Sequence, residues 1–306
     1  MSEVNIVVVG SANVDLVTRV PRCPKPGESL IGSSFATIPG GKGANQAVAA
    51  ARLGANTWFA GCVGDDAFGA LQRRTLSDAG VDVTHLKVHE SEPTGTAVIL
   101  VADEGQNSIV VTPSANYGIT PADIEQLEPV LREAGALLLQ LEIPLDTVEA
   151  ALDLAARLDV LSILDAGPAQ KVHAGIVGKA RIVSPNETEA EAMTGIAVDS
   201  IESARAAADA LHAMGAREVV VKLGEQGALY SGEEVLHASP FRVNAVDTVA
   251  AGDAFTAALA TVWRRLPKQD VLRFANAAGA LATTTPGAQP SMPTHAAVEA
   301  FLKERD

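Results

Sequence analysis

Short apolar runs recur along the chain, each four to eight residues long and rich in Val, Ile and Leu: NIVVVG (5–10), TWFAGCVG (57–64), ALLLQLE (136–142), VLSILDAG (160–167), RIVSPN (181–186) and EVVVKLG (218–224). Continuous rather than alternating apolar character predicts strands covered on both faces, as in a parallel sheet. Helix-length segments lie between them. GANQAVAAARLGA (43–55) is stopped at Gly54, 65–80 at Gly80 and 200–215 at Gly215, each glycine standing where a C-cap is expected. Thr120 and Pro121 open a predicted helix over 120–135 as cap and first helical residue. A further helix is predicted over 146–158, and the last third turns helical over 250–265, 268–285 and 294–303. Strands alternating with helices predict an open, mostly parallel α/β sheet.

Two stretches break this rhythm. Residues 14–38 and 93–112 read as antiparallel strands, with VADEGQNS as a hairpin centre. They form either extra edge strands or a small sheet inserted as a lid. With no linker and no internal repeat, the chain of 306 residues is expected to be one domain, 1–306, with lid strands within about 14–38 and 93–112.

Composition narrows the picture. Aromatics are 4% of the chain, so Ala, Val, Leu and Ile must build the core. The net charge of −14 comes without a Lys/Arg run, which argues against a nucleic-acid partner. No apolar run approaches the length of a membrane span, the N-terminus lacks a signal-peptide pattern, and Cys23 and Cys62 form no metal-binding or disulfide spacing. These features set the expectation of a cytoplasmic protein.

Five stretches carry candidate chemistry besides an opening turn after the first strand. In IPGGKGANQ (38–46), Gly40, Gly41 and Gly43 surround Lys42 where a helix begins, with Asn45 and Gln46 in its first turn. Glycine allows close backbone approach, and helix-start N–H groups favour anionic or polar ligands; the spacing is not that of a Walker A loop. After the first strand, Asn13 and Asp15 stand at i, i+2 and share a side of extended chain, a pairing that suits a hydroxyl-rich ligand or simply a turn. The dinucleotide fingerprint G-x-G-x-x-G is absent there. Glu142 ends an otherwise apolar run. Asn186 and Glu189 stand at i, i+3, placed either to hold Mg²⁺ through water or to cap a helix reciprocally. Gly224 and Gly227 bracket a turn that either merely turns or lies against a flat adenine or ribose. In DTVAAGDAFTAAL (247–259), Ala250, Ala251, Gly252 and Asp253 offer free N–H groups at a helix start, an anion hole for a phosphoryl group. Asp253 then serves as a base toward an attacking hydroxyl, or as a favourable charge near the helix dipole.

Taken together, GGKGANQAVAAARLG and DTVAAGDAFTAAL resemble the two signatures of the ribokinase family of carbohydrate kinases, with GSANVD, LQLE, PNETEAE, KLGEQG and GAQPS (287–291) in the order that family shows. The resemblance spans nearly the whole chain. It implies a three-layer α/β/α sandwich with a β lid, the lids often pairing in a homodimer. It places Asn13, Asp15, Gly41, Lys42, Asn45 and Glu142 at sugar-contacting positions, Asp253 at the catalytic base, and Ala250, Ala251 and Gly252 at the anion hole. Asn186 and Glu189 match the motif that organises Mg²⁺ and phosphate. Lys222, Gly224, Glu225, Gln226, Gly227, Gly252 and Asn276, with Asn186, fall near ATP. Asp247, Val249, Thr284, Gly287 and Ser291 resemble the surroundings of an activating monovalent cation, usually K⁺. The second signature often begins its anion hole with glycine, where this chain has Ala250, and TPSANYG (112–118) departs from a more glycine-rich stretch around Asn116 and Tyr117. The implied activity is ATP-dependent phosphorylation of D-ribose at O5. Kinases for another sugar, deoxyribose or a nucleoside are the near alternatives, and a non-catalytic sugar-binding regulator is the remote one.

Overall fold

The apolar runs form one large sheet. The computed structural model describes residues 4–104 and 106–305. In chain order the strands are β1 (Asn5–Val9), β2 (Asn13–Val20), β3 (Ser34–Gly40), β4 (Asn56–Gly64), β5 (Leu86–His89), β6 (Gly95–Ala102), β7 (Asn107–Thr112), β8 (Ala136–Leu139), β9 (Leu161–Asp165), β10 (Ile182–Ser184), β11 (Glu218–Lys222), β12 (Ala228–Ser231) and β13 (Val235–Ala238). The large sheet runs β13-β12-β11-β10-β9-β8-β1-β4-β5. It is parallel from β11 to β5, and β12 and β13 join antiparallel at one edge.

Both faces are covered, which is why the strands read as unbroken apolar runs. Ile6 and Val8 of β1 point into one core, packed by helices Lys42–Arg52, Ala251–Val262 and Lys268–Ala282. Val7 and Val9 point into the other, packed by helices Leu145–Arg157 and Ile201–Ala213. The result is the three-layer sandwich that the resemblance implied, and its helical contacts are largely alanine: Ala44, Ala47, Ala254, Ala257 and Ala258 on one side, Ala151, Ala204 and Ala208 on the other.

The interrupting stretches form a separate four-stranded sheet in the order β3-β2-β6-β7, with β2 and β6 parallel and the outer pairs antiparallel. Asn13 and Asp15 belong to β2 itself, so the strand's two-residue period puts both side chains on one face. At the far edge every residue of β7 is exposed.

Three local features depart from expectation. The helix predicted over 120–135 is two short helices, Pro121–Glu125 and Glu128–Arg132, because Pro129 has no N–H to continue the ladder. Residues 228–231 and 235–238, within and beyond the turn read at 221–232, are the antiparallel strands β12 and β13. Leu86–His89 adds a short strand at the opposite edge of the large sheet, and a helix Ala174–Lys179 joins the second layer.

Candidate active site

Strand β1 ends at Val9, and from Gly10 the chain crosses directly to the small sheet, while β3 returns it to the helix Lys42–Arg52. Gly41, between them, has φ 90°, and a Cβ there would lie 2.5 Å from the Asn13 nitrogen. Gly43 packs its backbone against Gly10 and Ser11, where a Cβ would approach to 2.7 Å. These contacts set the start of the helix against the end of β1 and bring Asn45 and Gln46 inward, both buried.

They meet Asp253 there. Asn45 Nδ2 donates to Asp253 Oδ2 at 2.9 Å and Gln46 Nε2 donates to Oδ1 at 3.0 Å. Asp253 is 4% exposed. Burial pushes its carboxyl up, Lys42 opposes that shift, and Asp165 adds to it, leaving it at about 6. Asn45 Oδ1 is buried without a hydrogen-bond partner among the described residues. One residue before Asp253, Gly252 is exposed, and a Cβ there would make only ordinary contact with the Lys222 side chain, nearest at Nζ, 3.8 Å. The helix begins at Ala251, whose N–H makes a long 3.4 Å contact to the Thr248 carbonyl, and first-turn N–H groups have no partner within the helix.

Across the cleft, Asp15 is buried against Gly40, where a Cβ would lie 2.5 Å from its carboxylate. Among the described residues no hydrogen bond or ion pair holds that carboxylate. Burial, with Glu142 and Asp253 nearby, pushes it up to about 7. Asn13 is fixed by Asn116, which donates from Nδ2 to Asn13 Oδ1 at 2.6 Å and accepts from the Ala12 N–H at 2.8 Å; Tyr117 beside it stays exposed. Glu142, three residues past β8, accepts from Ser11 Oγ and from the Lys42 N–H at 3.3 Å. The Lys42 ammonium lies 4.0 Å from Glu189. Burial alone would lower its pKa, but Asp253, Asp165, Glu189 and Glu142 hold it well above the usual lysine range.

Asn186 and Glu189 make a full capping box: Glu189 N–H to Asn186 Oδ1 at 2.8 Å and Asn186 N–H to Glu189 Oε2 at 2.7 Å. The capping reading of this pair is therefore present in the structure. Glu189 Oε1 is left facing Lys42. On the far side of β11, Gly227 (φ 89°) packs against the Ala238 carbonyl, and Asn276 Nδ2 donates to the carbonyls of Ala238 and Ser239 at 3.1 Å each. The turn Gly224–Gln226 is exposed, and Gly227 and Asn276 meet the same backbone segment, Ala238–Ser239.

The whole arrangement places the buried Asp253 carboxylate beside an open helix N-terminus, held by two amides and electrostatically coupled to the Asp15 carboxylate. The pfkB family carbohydrate kinase pattern matches residues 4–295. The chain belongs to this family of carbohydrate kinases. A ribokinase of Haemophilus influenzae is 39% identical over 300 residues, covering 97% of this chain and 98% of that protein. A deoxyribokinase of Salmonella typhimurium is 38% identical over 253 residues, 82% of this chain and 83% of that protein. The structure of Arabidopsis thaliana ribokinase complexed with ribose and ATP superposes with a TM-score of 0.90 at 36% identity, over 98% of this chain and 99% of that one.

Within this kinase fold, Asp247 ties two loops together, accepting from the Val249 N–H at 3.0 Å and the Gly287 N–H at 2.8 Å. Ser291 is buried with its hydroxyl on the Ala288 carbonyl, and Thr284 is exposed with its hydroxyl on Leu281. Among the described residues no three acidic, His or Cys side chains converge as a metal site. Four participants have no role in the sequence reading: Ser11, Gln140 and Thr256 stand inside the quoted stretches GSANVD, LQLE and DTVAAGDAFTAAL without being singled out, and Asp165 lies outside them. Asp165 had a visible signal, since it ends an apolar strand just as Glu142 closes its own run.

Proposed function

We propose that this chain is an ATP-dependent kinase of D-ribose that transfers the γ-phosphoryl group to O5. The observation that carries the reading is the Asp253 carboxylate, buried and gripped by two amides, one residue from the exposed Gly252. Asp253 takes the proton of the O5 hydroxyl as that oxygen bonds to phosphorus and the bond to the ADP oxygen breaks. A carboxyl near 6 is ionised at neutral pH yet a stronger base than a surface aspartate. The N–H groups of 250–253 receive the charge on the transferring group, where a helix start favours an anion, and Lys42 adds a cation on the same side.

The unpartnered Asp15 carboxylate and the free Asn45 Oδ1 are acceptors for sugar hydroxyls, with Asn13, Gly41 and Glu142 completing the pocket. The small sheet acts as a lid over it and excludes water, which limits transfer to water instead of sugar. ATP lies along Lys222, Gly224–Gly227 and Asn276. Mg²⁺, bound with the nucleotide, neutralises phosphate charge. Glu189 Oε1, with Asn186, suits a water on that ion, because its partner oxygen alone is used by the capping box. A monovalent cation, K⁺, is assigned to the loops joined by Asp247, each of whose oxygens keeps a lone pair beyond its one backbone N–H. The enzyme is read as cytoplasmic and as a homodimer through the small sheets.

The test is a product assay with ribose and Mg-ATP, with and without K⁺, on wild type and Asp253→Asn. The variant should lose at least about 10²-fold in kcat, in line with general-base contributions, with ribose affinity little changed; an unaltered rate removes Asp253 from its role. The deoxyribokinase relative, nearly as similar as the ribokinase, makes deoxyribose the second reading. Deoxyribose turned over faster than ribose in the same assay would decide for it.

A further inference from the structure

Asp165 has no part in the phosphoryl transfer just described, yet it is the most heavily engaged buried acid of the site. It is 1% exposed at the end of β9. Lys222 Nζ donates to its Oδ1 at 2.9 Å, and Thr256 Oγ1 and Gln46 Nε2 donate to its Oδ2 at 2.9 and 3.0 Å. Lys222 Nζ and Gln46 Nε2 can only donate, and the Thr256 hydroxyl adds a third donor, so the site is built for the ion. Lys222 supplies the charge that such a buried ion requires.

Gln46 stands between Asp165 and the base. Its carbonyl accepts from Gln140 Nε2 at 2.7 Å, which fixes the orientation of the amide. Its nitrogen lies 3.0 Å from Asp165 Oδ2 and 3.0 Å from Asp253 Oδ1. A primary amide has two N–H bonds, and both are taken, one by each carboxylate. Thr256, the other donor to Asp165 Oδ2, follows Asp253 by three residues and so shares its helix face. One buried anion therefore anchors the amide that holds the base and the helix that carries it.

We propose that Asp165 and Gln46 are positioning residues for the base: Asp165 locks Gln46 and the helix Ala251–Val262 to the sheet, and Gln46 holds Asp253 Oδ1 so that the carboxylate faces the acceptor hydroxyl. The proposal rests on the reading of Asp253 as the base. The charges around Asp253 are Lys42 on the helix Lys42–Arg52, Asp165 on β9 and Asp15 on β2. Lys222 and Glu189 join the cluster through Asp165 and Lys42, and Glu142 through Lys42 and Asp15. Asp165 and burial favour the protonated base, whereas Lys42 and the two amides favour the ion. The two positioning residues thus act on the base in opposite directions, which gives them a signature that loss of packing does not share.

The experiment measures kcat, KM for ribose and for ATP, the pH dependence of kcat/KM, and the melting temperature of wild type, Gln46→Met and Asp165→Asn. Gln46→Met keeps the volume and removes both donors. Its kcat should fall about 10- to 100-fold, the scale of a misplaced reacting group, with KM for ribose near wild type and the acid limb moved to higher pH. Asp165→Asn removes the neighbouring anion, so its acid limb should move to lower pH as kcat falls. A folded variant with wild-type kcat and an unmoved acid limb, or one altered in KM alone, overturns the proposal. If Asp165→Asn does not fold, Gln46→Met decides. A wild type that phosphorylates a different sugar brings down the ribose reading only, and the same variants are then compared on that sugar.

Discussion

Ala250 has φ 62° and ψ 10°, the left-handed region, at the residue that opens the helix Ala251–Val262. An L-residue with a Cβ is disfavoured there by roughly 1–2 kcal/mol. This gives a physical reason for the glycine that the family signature often shows at this point. Ala250→Gly relieves that strain but adds freedom to the unfolded chain, which offsets part of the gain. The expected net effect is a stabilisation of about 0.5–1 kcal/mol, read as a higher denaturation midpoint at unchanged m-value. The residues that meet at Asp253 were unevenly legible. Asn45 and Asp253 stand in motifs whose glycines announce a ligand. Gln46 was visible beside Asn45, but Gln140, one residue past β8, and Thr256 and Asp165 are ordinary residues, and the meeting of all four is a tertiary fact that no local spacing reports. Asp165 came nearest to being readable, as an acid closing an apolar strand.

At the level of elements, the helix Lys42–Arg52 is positioned by a backbone contact rather than by side chains. Gly43 lies so close to Gly10 and Ser11 that a methyl group would sit 2.7 Å from backbone atoms. Gly43→Ala must push the helix start away from β1, and overpacking of this kind costs about 1–3 kcal/mol. Because Asn45 rides on the same turn, the variant should lose ribose affinity as well as stability, measured by calorimetry and by urea midpoint. The parallel strands were readable because burial on both faces leaves an unbroken apolar run. Strands β12 and β13, four residues each, leave too little pattern to separate from a turn. The division of 120–135 turns on Pro129, whose missing N–H outweighs an otherwise helical stretch.

On the scale of the whole molecule, the small sheet projects apolar side chains that the rest of the chain does not cover. Phe35, Val98, Ile109, Val110 and Val111 are each at least 45% exposed, and β7 is an open strand edge. Such an edge invites pairing or cover, and a second copy meeting it through its own small sheet satisfies both. Sedimentation should therefore give twice the 31.5 kDa chain mass, and Val110→Lys, a charge in that patch, should give the single-chain mass. A monomeric wild type at micromolar concentration would refute the pairing. The mostly parallel sheet with both faces covered was legible from periodicity, and the three-layer form followed from the family resemblance, whereas the separation of the small sheet from the large one depended on which strands pair, and pairing is not written in spacing. Asp253 and the two amides that grip it are 208 and 207 residues apart along the chain. On the proposed assignment of Asp253, a ribosome that has delivered the N-terminal helix and most of the strands has made a scaffold with no proton acceptor, and the growing polypeptide stays chemically silent toward cellular nucleotide until its final third has emerged and docked.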